Sequence, residues 1–173
     1  MKPIIIAHSK MELRLLIQKE IEKHGNKCDL NHIDVSEITN MSNLFSIIGG
    51  ITGDIAKFNG DISNWDVSNV VNMRSIFYGS KFNGDISNWD VRQLLVAEGM
   101  FQNSNFNGNI ENWKPYKLEQ IDKVFEKSNV KPPYWANYDD LSERKASIEK
   151  FKLKKELSKE LNNENIIGKK IKL

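Results

Sequence analysis

The stretch Phe58-Asn-Gly-Asp-Ile-Ser-Asn-Trp-Asp-Val67 decides the fold. It returns unchanged at 82–91 and, weakened to Phe106-Asn-Gly-Asn-Ile-Glu-Asn-Trp-Lys-Pro115, another 24 residues on. Beyond this block the same period aligns Val70, Leu94 and Leu118, then Ile76, Met100 and Val124, then Phe77, Phe101 and Phe125. An earlier copy places Leu30, Ile33, Val35, Ile38, Met41, Leu44 and Phe45 in corresponding positions, followed by eight extra residues within 46–57. A fixed period of this length marks a repeat architecture, because one short unit has an apolar side that only its neighbours can bury. The chain therefore divides into an N-terminal cap (1–27), four repeats (28–129, with the insertion at 46–57) and a C-terminal helical cap and tail (130–173).

Inside each repeat the spacing Ile62-x-x-Trp65-x-Val67-x-x-Val70 is that of a leucine-rich repeat. The alternation Trp65-Asp66-Val67 predicts a short strand of a parallel sheet, and 69–78 predicts a helical or 3₁₀ turn carrying Val70, Met73, Ile76 and Phe77. The fold class expected is an α/β repeat solenoid. Its Trp and Phe columns form the core, and Gly60, Gly84 and Gly108 supply either positive φ or close approach of adjacent coils.

The run F-N-G-D-I-S-N-W-D-V followed by S-N-V-x-N-M-x-S-I-F resembles the repeat of the BspA-like leucine-rich repeat surface protein family, over about residues 28–129. That resemblance implies a right-handed solenoid with a parallel sheet on one face and short helical turns on the other. It also implies relatives displayed on bacterial cells, often as lipoproteins, and similar repeats in proteins of viruses and mobile elements. It brings no catalytic residues.

The 173 residues include 39% hydrophobic and 28% charged side chains, in the ordinary globular range. The apolar run after Lys2 soon meets His8, Lys10 and Glu12, too short for a signal or a bilayer span. With a single Cys28 and no lipid-attachment cysteine near the start, a cytoplasmic protein without intramolecular disulfides is expected. Charge is segregated: net +3 over 1–27, −6 over 28–113 and +5 over 114–173. The acidic centre argues against nucleic-acid readout.

At the ends, residues 3–8 read as a strand and Ser9-Lys-Met-Glu12 as a capping box, opening a helix that Gly25 stops. Asp140 caps a second, highly charged helix from Leu141 to about Leu161. At 100° per residue, Leu141, Ile148 and Phe151 fall on one side, while Ala146, Leu153, Leu157 and Leu161 fall nearly opposite. Either one stripe packs and the other meets a partner or a second copy, or the helix kinks and buries both. The tail 166–173 reads as a strand or as loose chain.

The expected strand register exposes one face for recognition. Its candidate partner-binding residues are Asp34, Asp66, Ser68, Asp90, Arg92, Lys114 and Tyr116, and to these the second helix adds Leu153, Leu157 and Leu161. Asn64, Asn88 and Asn112 are expected to form a structural side-chain ladder, and the Asp side chains either bond local backbone or meet a basic partner. No metal site, cofactor or catalytic constellation is expected, since Cys28 and His32 lack a second ligand pair and the repeated Asp pairs follow the scaffold period.

The leading expectation is a non-catalytic protein–protein recognition module binding a protein with a basic patch. The resemblance suggests a viral or mobile-element protein that inhibits a host target. The alternatives are a structural subunit of a virus particle or surface layer, self-associating through the C-terminal helix, and a host-binding surface protein.

Overall fold

Segment 4–7 runs beside the first repeat: strand β1 (Ile5–Ile6) pairs in parallel with β2 (Ile33–Asp34), Ile5 opposite Ile33. The coordinates are a computed structural model that describes residues 4–48 and 55–171, with side chains described to residue 162. Residue 3 of the expected first strand, 49–54 of the insertion, and 172–173 of the tail lie outside the described residues. Ser9 opens helix α1 (Lys10–His24), its Oγ accepting the Glu12 N–H at 3.2 Å. The reciprocal bond of a capping box goes one residue further back, from His8 N–H to Glu12 Oε2 at 2.9 Å. Gly25, at φ 80°, ends the helix with its N–H on the Ile21 carbonyl. Leu13, Ile17 and Ile21 are buried and join the apolar core of the repeats.

The repeats stack in register at their 24-residue period. Met73, Ser75, Phe77 and Gly79 donate their N–H groups to the carbonyls of Val96, Glu98, Met100 and Gln102 at 2.8–3.0 Å. Ala97, Gly99, Phe101 and Asn103 repeat this onto Gln120, Asp122, Val124 and Glu126. Met41, Asn43, Phe45 and Ile47 do the same onto the second repeat. This ladder occupies the segment expected to be helical. The reason is a column of left-handed residues, Asn43, Ser75, Gly99 and Lys123, and a second one, Gly79, Asn103 and Lys127, all with φ between 52° and 63°. Reversing the hand within the turn aims alternate N–H groups along the stack and prevents a continuous i→i−4 helix.

Among the described residues, the strand expected at 65–67 and its equivalents forms only in the first repeat, at Ile33–Asp34. The same turns bracket this segment in the first repeat, Ile33 N–H to Leu30 O and Ile38 N–H to Val35 O, and in the second, Trp65 N–H to Ile62 O and Val70 N–H to Val67 O; what the first repeat has in addition is β1, whose extended edge pairs with it. Between the repeats side chains bridge instead. Asn31 Oδ1 accepts the Asn64 N–H at 2.8 Å, and Asn69 Nδ2 donates to the Ser36 carbonyl at 3.0 Å.

Two phenylalanine columns fill the core. Phe45, Phe77, Phe101 and Phe125 stack at 5.6, 5.7 and 6.0 Å between centroids, and Phe58, Phe82 and Phe106 at 6.1 and 6.2 Å. The columns interlock, as Phe77 lies 4.5 Å from Phe82 and Phe101 lies 4.6 Å from Phe106. Such offset pairs contribute about 0.5–1.5 kcal/mol each beyond burial. The indoles of Trp65, Trp89 and Trp113 are buried, and each donates Nε1–H to a carbonyl of the preceding repeat: Leu30, Ile62 and Ile86, at 3.0–3.2 Å. A buried indole thus keeps its donor satisfied while locking one coil to the next.

The C-terminal boundary differs from the expectation. The break in sequence after residue 129 does not end the stack: Trp135 lies 6.4 Å from Trp113 and its Nε1–H reaches the Ile110 carbonyl, and Val130 is buried in the place Phe106 holds one turn earlier. Helix α2 (Leu141–Ile171) is capped by Asp140, whose Oδ1 accepts the N–H groups of Ser142 and Glu143. It runs past Leu161, so the tail as far as Ile171 is helical rather than strand or loose chain.

Candidate recognition face

Asp34, Asp66, Asp90 and Lys114 occupy one position in successive repeats. The three carboxylates each accept the N–H two residues on, from Ser36, Ser68 and Arg92, at 2.9, 3.0 and 3.1 Å. These Asx turns fix the chain direction at the same position of each repeat. A second column, Asp29, Asp61 and Asp85, makes the same turn onto Asn31, Ser63 and Ser87. The bond from the following N–H holds Asp34, Asp61 and Asp85 below the usual carboxylate range. Asp90 is lowered chiefly by Arg92, which grips it through Nε at 2.9 and 3.0 Å and Nη2 at 2.5 Å. The Asp positions are therefore structural first, and their charge is carried on a rigid support.

The asparagine ladder lies elsewhere than expected. Asn59 Oδ1 accepts the Asn83 N–H at 2.7 Å and Asn83 Oδ1 accepts the Asn107 N–H at 2.9 Å, all in the Phe-Asn-Gly turns. Asn64 instead donates its backbone N–H to Asn31 Oδ1 of the first repeat, and Asn112 Oδ1 accepts from Lys155 Nζ. The side chain of the Phe-Asn-Gly asparagine reaches its own counterpart because the following glycine lets the coils close up. A Cβ on Gly60 would stand 2.0 Å from the Cys28 carbonyl oxygen, which selects close approach over positive φ.

Helix α2 covers the far end of the face. Tyr116 donates its hydroxyl to Glu149 Oε1 at 2.7 Å, and burial with that contact pushes its pKa up to about 12. Tyr116, expected among the partner-binding residues, is thus committed to the helix. Arg144 is fully buried, its guanidinium donating to the carbonyls of Leu118 and, at 2.5 Å, Tyr138. Ile148 is buried beside it, and Phe151 stacks on Tyr134 at 4.1 Å. Beyond this anchor Lys152, Lys155 and Lys159 join Lys114 and Asn112 around a groove of about 270 Å³. Sequence reasoning missed these lysines, although 152, 155 and 159 share a helical face with Ile148.

Leu153, Leu157 and Leu161 are 58, 50 and 60% exposed and lie on the opposite side of α2. Of the two packings open at the sequence level, one stripe is buried and the other exposed. The candidate residues therefore fall on two surfaces: the Asp-lined face running into Lys114, and the outward leucine stripe. Ser68 is half-buried and serves its turn. At the first repeat Glu20 lies 3.5 Å from His32 and 3.8 Å from His24, and Cys28 is buried. Among the described residues no group of three or more His, Cys, Asp or Glu is placed to hold a metal ion. Among them, too, no helix is long and apolar enough to cross a membrane.

Compared with known families, residues 16–135 match the family model described as "Mycoplasma protein of unknown function, DUF285". The match ends at the last tryptophan of the column. No curated protein and no solved structure matches the chain.

Proposed function

The chain belongs to the DUF285 family of Mycoplasma proteins of unknown function, and from that premise we propose that it is a non-catalytic protein-recognition module. Its stacked repeats make a right-handed, leucine-rich-repeat-like solenoid, the arrangement implied by the likeness of its repeat to the BspA-like surface proteins. Right-handed winding agrees with the strong chiral preference of parallel crossovers. The observation that carries the reading is the pair of carboxylate columns, Asp29, Asp61 and Asp85 beside Asp34, Asp66 and Asp90, each held by its own turn. Like charges on neighbouring coils repel, and a basic protein surface laid across them relieves that repulsion.

The test exploits a substitution already present in the chain. Asn40, Asn72 and Asn109 make the same turn as the aspartates, so Asp34→Asn, Asp66→Asn and Asp90→Asn together remove charge and keep the fold. Immobilised wild type and triple variant are exposed to lysate of the source cells at about 0.15 M salt, and captured proteins are quantified by mass spectrometry. The reading expects a stoichiometric basic partner lost with the variant; identical captured sets from both would refute it.

A further inference from the structure

The acidic face does not end at an edge; it runs into a basic one. Lys114 stands in the Asp34, Asp66 and Asp90 column, lies close enough to Asp90 to favour its ionised form, and also lines the groove that α2 makes with the fourth repeat. That groove is lined by Lys152, Lys155 and Lys159 together with Asn112 and Glu156; Lys155 reaches Asn112, and Lys152 lies 4.0 Å from Glu149. Lys155 is held in place, donating to Asn112 Oδ1 and lying 5.3 Å over the Phe151 ring. Between the two halves sits Asp90, neutralised by its own Arg92. Along the Asp34 column the charge is thus negative at Asp34 and Asp66, balanced at Asp90 by Arg92, and positive from Lys114 onward.

From this arrangement we infer that the face pairs with the same face of a second copy about a two-fold axis. Such an axis, set upright on the third repeat, lays Asp34 and Asp66 of each copy against Lys114, Lys152, Lys155 and Lys159 of the other. The Asp90–Arg92 pairs then meet near the axis, where two unpaired like charges would otherwise collide. An isologous contact of this kind is closed and makes a dimer. The occupant is argued from charge: this chain carries both the carboxylate columns and the lysine groove that matches them, in reversed order along one surface. The inference rests on the recognition reading of the same face, and names its partner.

The test is sedimentation velocity on the full chain, from about 1 μM to about 1 mM, at about 0.02 M and about 0.5 M salt. A dimer is expected whose dissociation constant rises at least about tenfold with salt, as a contact made by exposed charges must. Asp34→Asn with Asp66→Asn, and separately Lys155→Glu with Lys159→Glu, should each raise it at least about tenfold at low salt. Circular dichroism checks that both remain folded. Carbodiimide coupling of a mixture of ¹⁵N-labelled and unlabelled protein should join Lys155 or Lys159 of one copy to Asp34 or Asp66 of another. A monomer under all conditions overturns the inference while leaving a basic partner of another kind to the capture experiment above. A dimer unmoved by salt and by both pairs, but lost in Leu153→Ser with Leu157→Ser, overturns it in favour of the leucine stripe.

Discussion

Replacing Gly60 by alanine puts a single methyl into the seam between the first two repeats. The new Cβ falls 2.0 Å from the Cys28 carbonyl oxygen and 2.7 Å from the Phe58 ring. A carbon–oxygen contact settles at about 3.3 Å, so the coils must part by more than about 1 Å. Three backbone bonds cross here: Asn59 N–H to Asn26 O at 2.7 Å, Asp61 N–H to Cys28 O at 3.1 Å, and Leu30 N–H to Asp61 O at 2.9 Å. Stretching them that far ends at least one or two, at about 1 kcal/mol each, and the overpacking adds about 1–3 kcal/mol. Reduced freedom of the unfolded chain returns about 0.4–1 kcal/mol. The net loss is about 1–5 kcal/mol. Gly84→Ala meets the Gly60 carbonyl at 2.9 Å and should cost less; Gly108→Ala meets only the Phe106 ring, at 2.6 Å, and should cost least, about 1 kcal/mol. Urea unfolding with linear extrapolation measures all three. A Gly60→Ala protein within about 0.5 kcal/mol of wild type, or a reversed order along the series, would refute the stacking that places these glycines.

Three further outcomes follow from the same geometry. Arg144→Ala leaves the Leu118 and Tyr138 carbonyls without their donor and should free α2 from the stack, at about 3 kcal/mol of docking; amide exchange over 145–151 should rise sharply. Lys127→Gly should stabilise the chain by about 0.5 kcal/mol because φ is 53° there, whereas Gly99→Ala, at φ 61°, should destabilise it by about 1 kcal/mol, both read from urea midpoints. The carboxyls of Asp34, Asp61 and Asp85 titrate lower in the folded chain than in the unfolded one. Their contribution is therefore complete above pH of about 4 and lost as pH falls through the folded values. Replacing all three by Asn should flatten the acid limb of the stability profile. His8 has the opposite sign: Glu37, 2.8 Å away, raises its pKa. Its contribution is present below pH of about 6.5 and lost as pH rises through the folded value, a decline that Glu37→Gln should remove.

The period, the Trp and Phe columns and both helix starts were legible because each depends on residue identity at fixed spacing. Trp65, Trp89 and Trp113 announce themselves 24 residues apart; Trp135 follows after 22, and the Pro132-Pro133 step hides that it continues the column. The inter-repeat ladder was not legible. The left-handed column holds Asn43, Ser75, Gly99 and Lys123, and only the asparagine and glycine hint at that conformation; the lysine is carried there by its neighbours in the stack. The asparagine ladder was placed one turn away because side-chain reach follows from how closely the glycine turns approach, a distance no spacing encodes. At the face, the Asp column was readable, but the role of Tyr116 and the lysine groove depended on where α2 lands. That landing is set by Arg144, a charged residue whose full burial a sequence does not suggest.

The most direct test of repeat stacking is residue-resolved amide hydrogen exchange by NMR. In the ladder every second N–H is covered by the next repeat, so Met73, Ser75, Phe77 and Gly79, and likewise Ala97, Gly99, Phe101 and Asn103, should be strongly protected. Among the described residues, no acceptor meets the corresponding N–H groups of Ile121, Lys123, Phe125 and Lys127 in the fourth repeat, and these should exchange far faster. Protection in the second and third repeats that stops at the fourth is the predicted result. Rapid exchange at 97–103, or equal protection at 121–127, would contradict the account.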